Sequence, residues 1–393
     1  MSKKNLIYLT YDGVLEPLGI SQILPYILKL SKVYNITLYS FEKKDNLSSL
    51  DFLKNKKILN KNNIKWNANK YYNKYLFITN LINIIFINLK IFFLILKNKN
   101  LIFHLRSYTP FFFIIGPLFF FKINYIFDMR GFWLQEKIDR RGWNKNSLIL
   151  KFLNSFEKKI IKLSHKTLCL TNHSIKILLA KYPQISINKY ECIRTTADIN
   201  TFKYIKKKIN YNELKFCYLG TTDGAYNFEK VIQIFLKIKK YLNNAKINII
   251  TKDDPIKVEI ILSNYNINIS DYQIINCEHS NICDQINNID LGIFYLNNNK
   301  SIKASFPTKI AEFFLCNKPI LCNNFNYDME SVTDYKRGLL FDDKLPINEE
   351  YIKILKKLIN DNLYNEYCRK YAIKNLTLDK IFVKILKCYQ SIV

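Results

Sequence analysis

Short apolar runs alternate along this chain with longer stretches in which apolar positions recur at every third or fourth residue, the periods of buried strands and of helices packed on one face. Leu6 to Thr10 predicts a strand, Tyr11 to Gln22 a loop, and Ile23, Leu24, Ile27, Leu28 and Leu30 a helix. Two further apolar strands run into the polar clusters of Leu101 to Pro110 and Ile126 to Trp133. After a basic stretch, Lys203 to Asn212, the pattern restarts: a strand at Leu214 to Gly220, a loop at Thr221 to Gly224 and a helix at Tyr226 to Leu242. Strands follow at Ile247 to Thr251, Tyr272 to Asn276, Leu291 to Leu296 and Pro319 to Cys322, with helical segments between them. From Leu345 onward the spacing is helical, ending in a helix over Ile381 to Ile392. Such alternation in both halves implies an α/β protein with two doubly wound parallel sheets.

Tyr75 to Leu96 is the one segment of membrane-spanning length. Thr79, Asn80, Asn83 and Lys90 interrupt it on one side, and a charge at Lys90 near its middle opposes a span. It reads as a helix of the first domain, packed on the sheet or resting on a bilayer surface. The neighbouring Phe111 to Phe121 run contains Gly116-Pro117 and is too short to cross.

With 393 residues, 49% of them hydrophobic, the chain is long enough for two well-cored domains. Its nine cysteines form no Cys-x-x-Cys pair and its four histidines are scattered, so neither a zinc site nor a disulfide framework is suggested. A strand directly follows Met1 to Asn5, leaving no apolar signal-peptide core, and the expected location is a reducing cytoplasm. A net charge of +28 fits attraction to anionic headgroups, which would make the protein peripheral at the inner face of the cytoplasmic membrane. A residue usage shaped by adenine- and thymine-rich codons explains the same charge equally well. No nucleic-acid module or phosphate-loop signature accompanies it.

Candidate chemistry concentrates in Ser305 to Leu321. Pro307 suits a first helical position, so a short helix should open there. Its free N–H groups, with Thr308 and Lys309, would suit a phosphate anion. Glu312, one turn on, would accept hydrogen bonds from a pair of ribose hydroxyls. The bland alternative is a solvated Glu312 beside a buried Phe313-Phe314 pair. Gly19, before the first helix, would let backbone approach a diphosphate, or merely make a turn. His104 and Arg106 follow one strand of the first half while Asp128 and Arg130 follow the next, where ligands of open parallel sheets bind. Against this, His104 reads as a core histidine, and Asp128 with Arg130 as a structural ion pair. Asp253-Asp254 and Asp342-Asp343 invite a metal reading but sit in turn-like contexts.

The Ser305 to Leu321 run resembles the donor-binding motif of the retaining glycosyltransferases of family 4, with Glu312 and Lys318-Pro319-Ile320-Leu321 matching well. Cys192 to Phe202 is similar to the family segment that closes the first domain. The resemblance runs in order from Leu6 to about Asp343. It implies a GT-B fold: two Rossmann-like domains facing across a cleft, residues 1–203 on the acceptor side and 212–376 binding a nucleotide-sugar donor. A last helix, about 377–393, should pack back on the first domain.

It further implies retaining transfer of a sugar from a nucleotide diphosphate donor to a hydroxyl of a glycan or lipid-linked acceptor, in cell-surface polysaccharide or lipopolysaccharide synthesis, without metal or other cofactor. Carried over residue by residue, the donor side comprises Gly19, Thr221, Thr222, Lys303, Ser305, Pro307, Thr308, Lys309 and Glu312. Arg106, Asp128 and Arg130 fall on the acceptor side; His104, Asp128, Arg130 and Lys309 are the catalytic candidates, with His104 and Asp128 alternatives for orienting the acceptor hydroxyl. Three positions depart from the family. Ala304 stands where an earlier glutamate is usual, Leu18 replaces a glycine, and the loop at Thr221-Thr222 has no cation before Lys230. A nucleotide-sugar epimerase of the same fold, a scaffold that lost its site and a basic nucleic-acid binder are the other readings.

Overall fold

The structure, a computed structural model, describes residues 3–71, 77–98, 100–142, 144, 147–211, 213–341 and 346–392. It divides into two compact units, one of residues 1–193 and 382–393, the other of residues 194–381.

The first unit is built on a seven-stranded parallel sheet: β1 Lys4–Thr10, β2 Tyr34–Glu42, β3 Ile64–Lys70, β4 Leu101–Arg106, β5 Asn124–Asp128, β6 Lys166–Cys169 and β7 Tyr190–Cys192, in the order β3-β2-β1-β4-β5-β6-β7. The central strands are buried on both faces, as parallel strands covered by helices must be, which is why they read as unbroken apolar runs. The strand order reverses between β1 and β4, and the carboxyl ends there form the natural ligand crevice of this unit. Register makes the crevice chemical: Thr10 pairs with Arg106 and Arg106 with Asp128, so three strand ends lie level.

The second unit repeats the design with six parallel strands: β8 Lys215–Leu219, β9 Lys246–Ile250, β10 Tyr272–Ile275, β11 Leu291–Ile293, β12 Ile320–Asn323 and β13 Gly338–Phe341, ordered β10-β9-β8-β11-β12-β13. Its reversal falls between β8 and β11. The helix Thr308–Leu315 packs on β11 so closely that a Cβ at Gly292 would sit 2.7 Å from the Phe313 ring. Only glycine permits that approach.

Several boundaries differ from the sequence expectation, each for a local reason. Pro307 is extended, with ψ of 134°, and precedes the helix as its cap instead of opening it. The second unit's first helix runs Phe228–Lys239, starting after Asn227, whose side chain accepts from the Lys230 N–H and fixes the start two residues late. β11 stops at Ile293 because the Leu296 N–H turns to the Asn323 side chain. The last helix is Leu378–Gln390.

The long apolar segment forms a helix, Phe77–Lys97, with Asn88 turned inward to the Phe112 carbonyl (2.7 Å) and the Gly116 N–H (3.0 Å). Its residues Ile82, Ile85, Phe86, Leu89, Phe93 and Leu96 are exposed, a second apolar side in addition to the buried one formed by Ile87, Ile91 and Ile95. Among the described residues, no helix is long and apolar enough to cross a membrane. Asp342-Asp343 lie outside the described residues.

Candidate functional site

In the second unit, β8 is followed by Gly220 at φ 133°, a conformation open to glycine, and a Cβ there would stand 2.8 Å from the Lys309 amine nitrogen. Lys309 comes from the first turn of the helix Thr308–Leu315 and is only 6% exposed. Its Nζ donates to the Leu219 carbonyl and lies 3.7 Å from the centre of the Tyr226 ring, with Tyr218 and Phe294 also within cation–π reach. Burial lowers its pKa to about 7 despite the opposing pull of Glu312. The amine therefore fastens the β8 loop to the helix and sits at the balance point between charged and neutral.

Glu312 follows one turn later, equally buried, with its carboxylate 3.6 Å from His279 Nε2. That contact, against the effect of partial burial, raises the His279 pKa. Thr222 donates both its N–H (2.6 Å) and its hydroxyl (2.7 Å) to Asp253, while Asp254 caps the helix Pro255–Asn264. Both carboxylates of the Asp253-Asp254 pair are thus taken up by local structure. Thr221 is exposed, its hydroxyl turned to the Asp223 carbonyl. Lys303 lies in the 3-10 turn Lys300–Ala304, and Ser305 follows that turn, both half-buried and leading into Pro307 and Thr308. The helix N–H groups, the Gly220 loop, Lys309 and Glu312 converge at the carboxyl ends of β8 and β11.

In the first unit, alternate positions of β4 put His104 and Arg106 on one face, and register sets Asp128 beside Arg106. The Asp128 carboxylate lies 3.4 Å from Arg106, 3.5 Å from His104 Nε2 and 3.8 Å from Arg130. Burial alone would raise its pKa, but Arg130, the His104 contact and Arg106 outweigh it and hold the group below the usual carboxylate range. His104 is fully enclosed: Tyr8 stacks on its ring at 4.4 Å and the Tyr389 hydroxyl meets Nδ1 at 2.7 Å. Burial, only partly opposed by Asp128, lowers its pKa and keeps the imidazole neutral near pH 7. Gln22 accepts from both arginines, at 3.1 Å from Arg106.

Ser107 and Arg130, at φ 70° and 59°, occupy the left-handed region just past β4 and β5, strain of about 1–2 kcal/mol each that the surrounding contacts must hold. Gly19 is needed for a different reason from ligand approach. The space a Cβ would fill is taken by the carbonyls of Gly13 and Val14, whose loop is pinned by buried Glu42 accepting from the Val14 and Leu15 N–H groups at 2.8 and 3.3 Å.

Two clusters emerge, one per unit: Gly220, Thr222, Lys309 and Glu312 in the second, His104, Arg106, Asp128 and Arg130 in the first. Sequence reasoning missed Tyr226, His279, Gln22 and Glu42. Gln22 carried a signal, closing the expected Tyr11 to Gln22 loop, whose last residues instead fold into the helical turn Gly19–Ile23 ahead of the helix Leu24–Leu30; His279 carried none, since only folding brings it to Glu312.

Residues 200–375 match the family described as glycosyl transferases group 1. No curated protein matches the chain. Among solved structures, a glycosyltransferase from Rickettsia africae superposes with a TM-score of 0.69 at 16% identity, covering 100% of this chain and 99% of its own. Anabaena HepE in complex with UDP and glucose gives 0.67 at 11% identity over 98% and 99% of the two chains. The lipopolysaccharide outer core galactosyltransferase WaaB gives 0.63 at 11%, over 99% and 100%. At such identities the likeness establishes the GT-B fold of two Rossmann-like units.

Proposed function

This chain belongs, through residues 200–375, to the glycosyl transferases group 1, and from that premise we propose that it moves a sugar, with retention at the anomeric carbon, from a nucleotide diphosphate donor to a hydroxyl of a glycan or lipid-linked acceptor, in cell-surface polysaccharide or lipopolysaccharide synthesis. The observation that carries the reading is the convergence, at one strand-order reversal, of the helix start at Thr308, the Gly220 loop and the buried Glu312 carboxylate. Free N–H groups and the positive end of the helix dipole suit the diphosphate; a carboxylate that cannot hold phosphate suits the paired ribose hydroxyls. HepE, of the same fold, is described with UDP and glucose, which favours a nucleotide-sugar donor.

In the proposed reaction the bond from the anomeric carbon to the diphosphate oxygen breaks, and a bond to the acceptor oxygen forms on the same face of the sugar. The acceptor proton ends on the released diphosphate. Charge growing on that leaving group dominates the barrier, so the oriented amides and Lys309 are where catalysis resides. Lys309, whose pKa burial lowers to about 7, takes up a proton from solvent when the donor diphosphate binds beside it, and the ammonium so formed faces the leaving group. No divalent cation enters the proposal, and turnover in excess EDTA should be unchanged. On the acceptor side Asp128 is too well stabilised as an anion to be a strong base; it orients the hydroxyl by accepting its hydrogen bond, and enclosed His104 positions Asp128. Arg106 and Arg130 fix its charge.

We further infer that the protein is peripheral on an anionic bilayer. The exposed apolar side of the helix Phe77–Lys97 continues into exposed Phe119 and Phe120, with Phe92 and Phe120 rings 5.7 Å apart. Lys90 and Lys97 are exposed along it and Lys159 lies over the Phe119 ring, a basic rim matched to anionic headgroups. The decisive assay measures nucleotide release from a panel of nucleotide-sugars with cell lipid extract and glycans as acceptors, followed by the anomeric configuration of the product by NMR. Acceptor-dependent release with retention is expected. Donor isomerisation without transfer, or inversion, would refute the proposal.

A further inference from the structure

A second pocket of about 710 Å³ lies in the second unit at the opposite end of its sheet, lined by the amino ends of β8, β9 and β10, the segments entering β11 and β12, and the linker 204–210. β8 is five residues long, which places this pocket roughly 13 Å from the Gly220 loop, on the side of the sheet ends that the proposed reaction does not use. Its volume is that of a small-molecule site.

The lining is basic. Lys207, Lys208, Lys215, Lys246 and Lys318 stand against two carboxylates, Glu213 and Asp290. Both acids already have partners: Glu213 pairs with Lys246 at 3.0 Å, and Asp290 accepts from the Lys215 N–H at 2.8 Å. Lys207 donates to Asn288. Lys318 differs from the others. It is 9% exposed, and among the described residues its ammonium has no hydrogen bond or ion pair, Asp290 being only a more distant charge. Burial, only partly opposed by the charge of Asp290, lowers the Lys318 pKa, so an anion brought beside it would restore the ammonium and be held by it.

The rest of the wall is not that of a bare anion hole. The side-chain amides of Asn248 and Gln273 are unpartnered among the described residues, and Tyr204 and Tyr272 bring aromatic rings, groups that recognise hydroxyls and the apolar faces of a sugar. We propose that this pocket is a second ligand site, for a phosphorylated polyol of the sugar phosphate class, with the phosphate at Lys318 and the linker lysines and the hydroxyls at Asn248 and Gln273. Because such a ligand bridges the linker to the sheet, its binding stiffens the second unit and acts as a regulator and not as a substrate.

The test is calorimetric titration of the full chain with glucose 6-phosphate, glycerol 3-phosphate and fructose 1,6-bisphosphate, with glucose and inorganic phosphate as controls, each with the nucleotide site saturated by UDP. At least one sugar phosphate should bind in the presence of UDP, at least tenfold more tightly than inorganic phosphate. Lys318→Met should weaken it tenfold or more; the surface double variant Lys207→Gln, Lys208→Gln should weaken it severalfold and covers the case in which Lys318→Met does not fold. UDP affinity should be the same in both variants, which separates this site from the donor site. No binding of any sugar phosphate at millimolar concentration, displacement by UDP, binding of inorganic phosphate as tight as any, or indifference to both substitutions would overturn the proposal.

Discussion

Lys309 shows how far one residue's role depends on burial. Read along the chain it is a cation beside a phosphate; folded, it is locked under the Gly220 loop with its pKa lowered to about 7. The ordinary lysine value is 10.5, so the folded state binds fewer protons than the unfolded chain between those limits. Unfolding free energy should accordingly rise as pH climbs from about 7 to about 10.5, and this slope should flatten in Lys309→Met. Denaturant titrations across that window measure it. The same residue predicts that UDP binding at pH 8 takes up most of a proton, seen by calorimetry in buffers of different ionisation enthalpy, and that Lys309→Met abolishes the uptake. Asp128→Asn, in contrast, should leave UDP affinity unchanged and reduce transfer roughly 100-fold, the scale of one lost positioning contact. A matching loss of nucleotide binding would show that Asp128 does something other than orient the acceptor.

At the scale of elements, one buried carboxylate on the helix Leu148–Leu163 ties that helix to the segment following β4 and to the end of the helix Asn172–Lys181. Glu157 accepts from the hydroxyls of Tyr108 and Tyr182, each at 2.7 Å, and pairs with Lys181 at 2.6 Å. Glu157→Ala strands two phenols in the core and should destabilise the first unit by about 3 kcal/mol, read from its urea transition. The helix Phe77–Lys97 carries the opposite kind of feature, an apolar side with nothing over it. Replacing Phe86, Phe93, Phe119 and Phe120 with serine should abolish sedimentation with anionic vesicles while leaving the fold unchanged by circular dichroism. Recovery of the parent protein wholly in the supernatant, at low salt, would remove the membrane from the account.

The elements themselves were legible where the periodicity was clean. β1, β8, β9 and the Ser305 to Leu321 run followed from apolar spacing and from a proline near the helix start. β2 and β3 were not, because Tyr34–Glu42 and Ile64–Lys70 mix polar and aromatic residues that only strand pairing orders. The Pro307 boundary slipped by one residue because a proline fits the extended cap as easily as the first turn.

For the whole molecule, two sheets with reversed strand order each place polar residues at one reversal point, and that architecture was foreseeable from alternation alone. The composition of the sites was half foreseeable. Asp128 and Arg130, next to a strand end, and Glu312, one turn past the expected helix start, had a local signal; residues that reach the same points from elsewhere, His279, Tyr226 and Gln22, had not been singled out, since no local signal reports a tertiary neighbour. Only a small part of the net charge of +28 lies in the basic pocket beneath β8 and in the proposed membrane-facing rim. In the proposed reaction a nucleotide diphosphate is held at the start of the helix Thr308–Leu315, with Glu312 on its ribose. Calorimetric titration of UDP into the parent protein and into Glu312→Ala tests it most directly. Losing two hydrogen bonds to a charged acceptor, about 3–6 kcal/mol together, predicts binding weaker by roughly 100-fold or more with the melting profile preserved. Equal affinity in a folded variant would contradict it.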